Sequence, residues 1–127
     1  MKSIYINSER FSTYTEFLSH MQELLMPYSE DSLTGLDALE DVLEGGFGVF
    51  DYESSILIKW ENFRKSAKDF GYEATIQYYK STLETCHPSN RAAIKQKIAW
   101  AEEEEGFTLF HMILDVFIES RASIELF

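Results

Sequence analysis

Three short runs of β-branched, aliphatic and aromatic residues predict the strands of a sheet. They span residues 4–6, 55–60 and 124–127, and the turn-forming Asn7 and Ser8 follow the first. The nearly continuous apolar character of residues 55–60 predicts a strand that is buried on both faces. Because the connections between these runs are far too long for hairpins, we expect right-handed helical crossovers and parallel pairing.

Between the predicted strands, apolar residues recur at the spacing of α-helices. The first helix is predicted to begin after Ser12 or Thr13, with Glu16 in its first turn, and to end at Pro27. Further helices are predicted over residues 35–45, 61–70, 72–85, 88–101 and 107–121. These elements together predict a single α/β domain over residues 1–127, with a small three-stranded parallel sheet packed with helices.

The predicted helix over residues 35–45 separates its side chains into an apolar face and an acidic face. At about 100° per residue, the apolar side holds Leu36, Ala38, Leu39, Val42 and Leu43. The other side holds four carboxylates within an arc of about 100°, namely Asp37, Glu40, Asp41 and Glu44. Like charges at this spacing repel, and no lysine or arginine lies among them. Such a helix is either a plain solvated face or a surface that binds something basic.

The excess of acidic residues indicates which classes of partner the protein can bind. The 127 residues include 22 acidic and 11 basic side chains, which give a formal net charge of −11 at pH 7. Nucleic acids and anionic membranes both require a positive surface, so neither is expected as a partner. The single Cys86 excludes an internal disulfide, and we see neither a signal peptide nor an apolar stretch long enough to span a bilayer. We therefore expect a cytoplasmic protein.

Candidate catalytic and metal-binding chemistry is sparse. The three histidines are scattered, and none falls in a metal-ligand spacing with Cys86. The adjacent Cys86 and His87 predict a helix junction instead of a thiol–imidazole pair. Asp37 and Asp41 are a pair of carboxylates, as in a general acid/base dyad. However, the helix face that carries them is predicted to face solvent, and no apolar pocket is expected that would separate their pKa values. The sequence therefore predicts a protein that is not an enzyme and that binds no cofactor or metal.

Three blocks of residues carry a resemblance to a known family. The first is a strand ending at Ile6-Asn7, followed by a helix ending at Leu24-Leu25 before Pro27. The second is the helix sequence Leu36-Asp37-Ala38-Leu39 followed by Asp41. The third comprises Leu57, Trp60, Phe63 and Ser66, together with Leu114, Val116, Phe117 and Glu119 of the last helix. In their order and spacing, these blocks resemble the barstar-like ribonuclease inhibitors over residues 3–70 and 107–127.

The resemblance implies a barstar-like fold and a protein that plugs the active site of a small basic ribonuclease. In that role, acidic side chains occupy the place of the substrate's phosphates. Carried over by position, Asp37 and Asp41 match the two aspartates of the inhibitory helix, Glu119 matches a glutamate on the last helix, and Tyr28 matches a loop tyrosine. The implied partner is a cognate nuclease toxin, bound one to one by an immunity protein that is monomeric when free.

The chain departs from the family pattern in ways that leave the target open. Glu40 stands where the family has a tryptophan, and the loop before the acidic helix is longer. Residues 71–106 have no counterpart and predict two extra, inserted helices. Glu40 and Glu44 would add charge to the binding face. One alternative function is an acidic protein–protein adaptor on the same fold, with another basic partner. A second, from another class, is a small hydrolase that uses acidic residues.

Other charged and aromatic positions have plainer interpretations. Phe47 and Phe50 flank the acidic helix and are either interface anchors or core residues. The acidic run over residues 102–105 lies at a predicted helix end, where the helix dipole disfavours acids, and it is either a solvated face or a second contact for a basic partner. The basic cluster over residues 64–68 predicts an internal charge complement.

Overall fold

The fold is built on a three-stranded parallel sheet. The structure is a computed structural model that describes residues 2–27, 33–44, 56–120 and 122–127. The strands are β1 (Lys2–Asn7), β2 (Ile56–Glu61) and β3 (Ser123–Leu126), and β2 lies between the other two. Ile58 pairs with Ile4 on one side and with Ile124 on the other. The predicted fold class, a small α/β fold with a three-stranded parallel sheet, is confirmed.

Six α-helices lie within the described residues and follow the predicted helices closely. They are α1 (Tyr14–Leu25), α2 (Leu36–Leu43), α3 (Phe63–Asp69), α4 (Tyr72–Thr85), α5 (Arg91–Glu102) and α6 (Leu109–Glu119). α1 begins where predicted because Thr13 and Glu16 form a reciprocal capping box with each other's backbone amides. α6 begins later than predicted because Thr108 caps it. None of the described helices combines the length and apolar character that crossing a membrane requires.

The core lies against one face of the sheet. Ile6, Ile58 and Trp60 on that face are fully buried. The helices contribute the buried side chains Phe17, Met21, Leu25, Leu39, Leu43, Ile113 and Phe117. The Trp60 indole stacks on the Phe17 ring with centroids 5.7 Å apart, and it meets the Phe117 ring edge-on at 5.9 Å. Trp60 is therefore a core residue at the end of the central strand.

The opposite face of the sheet stays partly exposed among the described residues. Leu57 and Lys59 of β2 are half-buried, and Tyr5 of β1 is 50% exposed. The Lys59 ammonium lies 5.7 Å from the centre of the Tyr5 ring, close enough for a cation–π interaction. The prediction that the middle strand is buried on both faces is therefore wrong. Its alternate side chains divide between a buried face and a partly exposed one.

α4 and α5 are the two helices predicted within residues 71–106. A short connection that includes the 3₁₀ turn Pro88–Asn90 joins them, and they pack against each other as a helical hairpin. α4 also packs against α6. Cys86 ends α4, and the His87 side chain accepts from the Ser89 amide to cap the turn. The prediction of a helix junction at these two residues is confirmed.

Candidate functional site

α2 presents the acidic face that the sequence predicts. Its apolar side chains Leu39, Val42 and Leu43 are buried in the core. Its carboxylates are exposed to solvent, and they are Asp37, Glu40, Asp41 and Glu44. The apolar side of α2 thus packs in the core, and the helix also packs against α6. The predicted helix end at Gly45 and the flanking Phe47 and Phe50 lie outside the described residues.

Three of the α2 carboxylates are left without a compensating charge from the described residues. The one ion pair within the described part of the chain joins Lys65 to Asp69 of α3, with a distance of 2.6 Å from Nζ to Oδ2. In the basic cluster over residues 64–68, only Lys65 has the predicted role of an internal charge complement, because Arg64 and Lys68 are exposed and have no ion pair with a described residue. Asp37, Glu40 and Asp41 have no ion pair with any described residue. These three exposed carboxylates, carried by a fixed helix, retain their attraction for a cationic partner.

Two tyrosines, Tyr14 and Tyr78, interact electrostatically with Asp37. The rings of Tyr14 in α1 and Tyr78 in α4 meet edge to face, with centroids 5.4 Å apart. Burial, Tyr78 and Asp37 raise the pKa of Tyr14 to about 12, and a backbone hydrogen bond with Leu36 opposes them. Burial and the Asp37 charge also raise the pKa of Tyr78. Both phenols therefore stay neutral at physiological pH and present uncharged rings near the carboxylate.

Asp37 also lines a cleft of about 920 Å³ that lies between the beginnings of α1 and α2 and extends along α4. Tyr14 and Tyr78 contribute aromatic surface to the cleft, and Glu73 in the first turn of α4 contributes a second carboxylate. A volume of this size is within the range of about 300–1,000 Å³ that is typical of ligand sites. The acidic helix therefore borders a recess as well as open solvent.

The buried Thr75 fixes the α4 wall of the cleft to the rest of the protein. Its Oγ1 donates a 2.7 Å hydrogen bond to the Gly71 carbonyl and accepts a 2.7 Å hydrogen bond from the Leu109 amide. The Phe110 amide also donates to the Phe70 carbonyl, at 3.1 Å. Since these bonds join the start of α4 to the start of α6, the cleft wall is anchored in the body of the fold.

Glu119, the predicted site residue on α6, is not among the described residues that line the cleft. Glu119 is exposed at the last residue of α6, the helix against which α2 packs. No hydrogen bond or ion pair within the described residues joins Glu119 to the carboxylates of α2. Tyr28, the predicted loop tyrosine, lies outside the described residues. The structure thus places Glu119 at the end of the helix against which α2 packs.

The three histidines have structural roles. The His20 Nε2 accepts a 3.2 Å hydrogen bond from the Asn7 amide, and His111 completes the cap of α6 with Thr108. His87 caps the turn before α5. Within the described ranges, no group of three or more histidine, cysteine, aspartate or glutamate side chains is arranged to hold a metal ion. The chemistry that this site offers is recognition of a cation by carboxylates and aromatic rings.

Sequence reasoning misses the cleft and its pair of tyrosines. Tyr14 occupies the first position of α1, and Tyr78 counts as an apolar position of α4. No local pattern connects the two residues, because only tertiary packing brings their helices together. The acidic face of α2, in contrast, follows from helical spacing alone.

The comparisons with known proteins add no family assignment. No protein-family model matches the chain, and a search of curated proteins finds no relative. The barstar-like identity implied by the three sequence blocks stays a prediction. The geometry of α2 and its surroundings therefore carries the functional argument.

Proposed function

We propose that this protein is an inhibitor, an immunity protein, that binds a basic nuclease toxin one to one and covers the toxin's active site with α2. The observation that carries the proposal is the acidic face of α2. Asp37, Glu40 and Asp41 are exposed and have no ion pair among the described residues, on a helix fixed by its buried apolar side. A preformed row of this kind binds without first ordering the helix, which lowers the entropic cost of association.

The chemistry of the target explains why such a face would inhibit it. A ribonuclease active site must be positive to hold phosphate, so it presents arginine and lysine side chains. Carboxylates make strong charge-assisted hydrogen bonds to the same groups. The resemblance to barstar-like inhibitors supports the roles of Asp37 and Asp41 and adds Glu119 on α6. Cytoplasmic location belongs to the same proposal, since one free cysteine suits a reducing compartment.

The net charge of −11 predicts how the complex would form. A strongly negative inhibitor and a basic nuclease attract each other before contact, which speeds association. Added salt screens this attraction, so the association rate should fall steeply with ionic strength. A partner recognised mainly through apolar surface would show little of this dependence.

The test begins with capture of basic proteins from an extract of the protein's own cells, at low and at high salt. Each captured protein is purified and assayed for RNase activity during titration with this chain. The proposal expects complete inhibition at one equivalent. Asp41→Asn should weaken the complex by about thirtyfold or more, because it leaves a cationic group of the toxin buried and unpaired. Glu102→Gln, which removes the same charge at an exposed position of α5, should change affinity by less than about threefold.

The other outcomes identify other functions. If a basic protein binds stoichiometrically but keeps its activity or has none, the chain is the acidic adaptor and the inhibitor proposal fails. If Asp41→Asn and Glu102→Gln weaken binding equally, α2 is not a specific binding face. Turnover of RNA by this chain alone would contradict both functions.

A further inference from the structure

The cleft beside α2 has walls that differ in chemistry from the outer face of the helix. One wall is the first turn of α2 with Asp37, and the other is α4 with Glu73 and Tyr78. Tyr14 from α1 also lines the cleft, with its ring edge to face against Tyr78. The second wall belongs to residues 71–106, the segment that the barstar-like pattern does not explain.

The charges that line the cleft favour a cationic occupant. Three carboxylates line it, and they are Asp37, Asp69 and Glu73. Asp69 is neutralised by its 2.6 Å ion pair with Lys65. Asp37 and Glu73 have no ion pair among the described residues. Lys68 is the one lysine or arginine among the described residues that line the cleft, so its single positive charge stands against two unpaired carboxylates. The local balance is therefore negative, in a protein whose net charge is already −11.

The aromatic pair adds a second attraction for a cation. A guanidinium group is planar, so it can stack on an aromatic ring and donate two parallel hydrogen bonds to a carboxylate. An ammonium group is not planar and cannot make this paired arrangement. Tyr14 and Tyr78 are half-buried, so a group that enters the cleft exchanges water for their rings. At about 920 Å³ the cleft is larger than one side chain and can hold a short segment of chain.

We propose that this cleft receives an arginine side chain, carried by a loop of the basic partner, between the carboxylates of Asp37 and Glu73 and against the rings of Tyr14 and Tyr78. The proposal rests on the proposed function for the identity of the partner. It assigns to α4 the role of a second contact surface, so the partner is held by the cleft as well as by the outer face of α2. The segment over residues 71–106 then determines which partner is bound.

The first experiment titrates the isotope-labelled protein with the peptide acetyl-Gly-Arg-Arg-Gly-amide and follows backbone amide resonances. The controls are the same peptide with lysine in place of arginine and with citrulline, which keeps the shape of arginine without its charge. The arginine peptide should shift the resonances of Tyr14, Asp37 and Tyr78 at millimolar concentration, the lysine peptide less, and the citrulline peptide hardly at all. Shifts only at Glu40 and Asp41, or no shifts, would overturn the proposal.

The second experiment uses matched charge variants in the folded protein. Glu73→Gln should weaken binding of the arginine peptide by about three- to tenfold, and Glu102→Gln, outside the cleft, by less than about twofold. The amide spectrum of each variant verifies its fold. Equal effects of the two substitutions would contradict the cleft as the binding site.

The two proposals fail in different ways. If the arginine peptide binds in the cleft but no nuclease is inhibited, the proposed function fails and the cationic site stands. If a nuclease is inhibited and Asp41→Asn weakens the complex but Glu73→Gln does not, the cleft proposal fails and the function stands.

Discussion

The indole Nε1 of Trp60 donates a 2.8 Å hydrogen bond to the Ser8 Oγ, across 52 positions of the chain. The same N–H lies 3.2 Å from the Ser66 Oγ, and the two serine hydroxyls are 2.6 Å apart. All three residues are fully buried. This cluster joins the central strand to the turn after β1 and to α3, and it provides the indole with acceptors inside the core.

Removing both acceptors should destabilise the protein. In Ser8→Ala/Ser66→Ala the indole N–H stays buried without a partner, so we expect the free energy of unfolding to fall by about 1–3 kcal/mol. Each single substitution should cost less than half of that, because the other serine still accepts, and the effects should be non-additive. Urea denaturation measures all three variants. Ser81→Ala at an exposed position is the control, and a double variant as stable as that control would contradict the prediction.

The anchor of α4 gives a second prediction with a matched control in the same helix. Thr75→Val keeps the shape of the side chain but leaves the buried Leu109 amide without its acceptor, so unfolding should become easier by about 1–3 kcal/mol. The Leu109 amide should also exchange its hydrogen faster. Thr82→Val loses only a 3.0 Å bond to the Tyr78 carbonyl within α4 and should have little effect. Thr75→Ser restores the hydroxyl and should recover most of the loss; failure of that rescue would exclude the hydrogen bond as the cause.

Much of the fold follows from local patterns in the sequence. Thr13 and Glu16 define the start of α1 because a capping box is complete within four residues. α4 spans residues 72–85 as predicted, since Gly71 and the Cys86–His87 junction bound it on both sides. The acidic face of α2 is likewise local, because helical spacing alone fixes it.

The parts that sequence could not predict depend on distant contacts. Thr75 is a polar residue on a helix, and nothing near it indicates that it is fully buried against α6. The cleft exists only because packing brings Tyr14 and Tyr78 together. The error at the middle strand has the same origin: an apolar run does not reveal that helices among the described residues cover only one of its faces.

The end of α5 shows a local strain that glycine should relieve. The Glu105 amide donates to the Trp100 carbonyl at 2.8 Å and the Glu104 amide to the Ala101 carbonyl at 3.0 Å, which is the Schellman pattern. That pattern requires a left-handed residue, and Glu104 supplies it with φ of 57°. Such a conformation costs a non-glycine residue about 1–2 kcal/mol. Glycine avoids this cost, but its greater flexibility in the unfolded chain cancels part of the gain.

Glu104→Gly should therefore stabilise the protein by about 0.5–1 kcal/mol. Glu104→Gln removes the charge from the helix end but keeps the backbone strain, so its gain should be smaller. Thermal and urea unfolding of the two variants separate these causes. Equal stabilisation by both would mean that charge, and not backbone conformation, limits this helix end.

Burial lowers the pKa of His20, the Glu23 carboxylate opposes this shift, and the Arg10 charge adds to it, which predicts how stability depends on pH. Above the ordinary histidine pKa of about 6.5, the ring is neutral in both states and accepts from the Asn7 amide in the folded one. As the pH falls below that value, the unfolded chain binds a proton first, so stability decreases until the folded pKa is passed. His20→Gln keeps an acceptor without titrating, so its free energy of unfolding should decline less than that of the parent between pH 7 and pH 5. Urea unfolding at several pH values measures both curves, and parallel curves would show that His20 does not contribute.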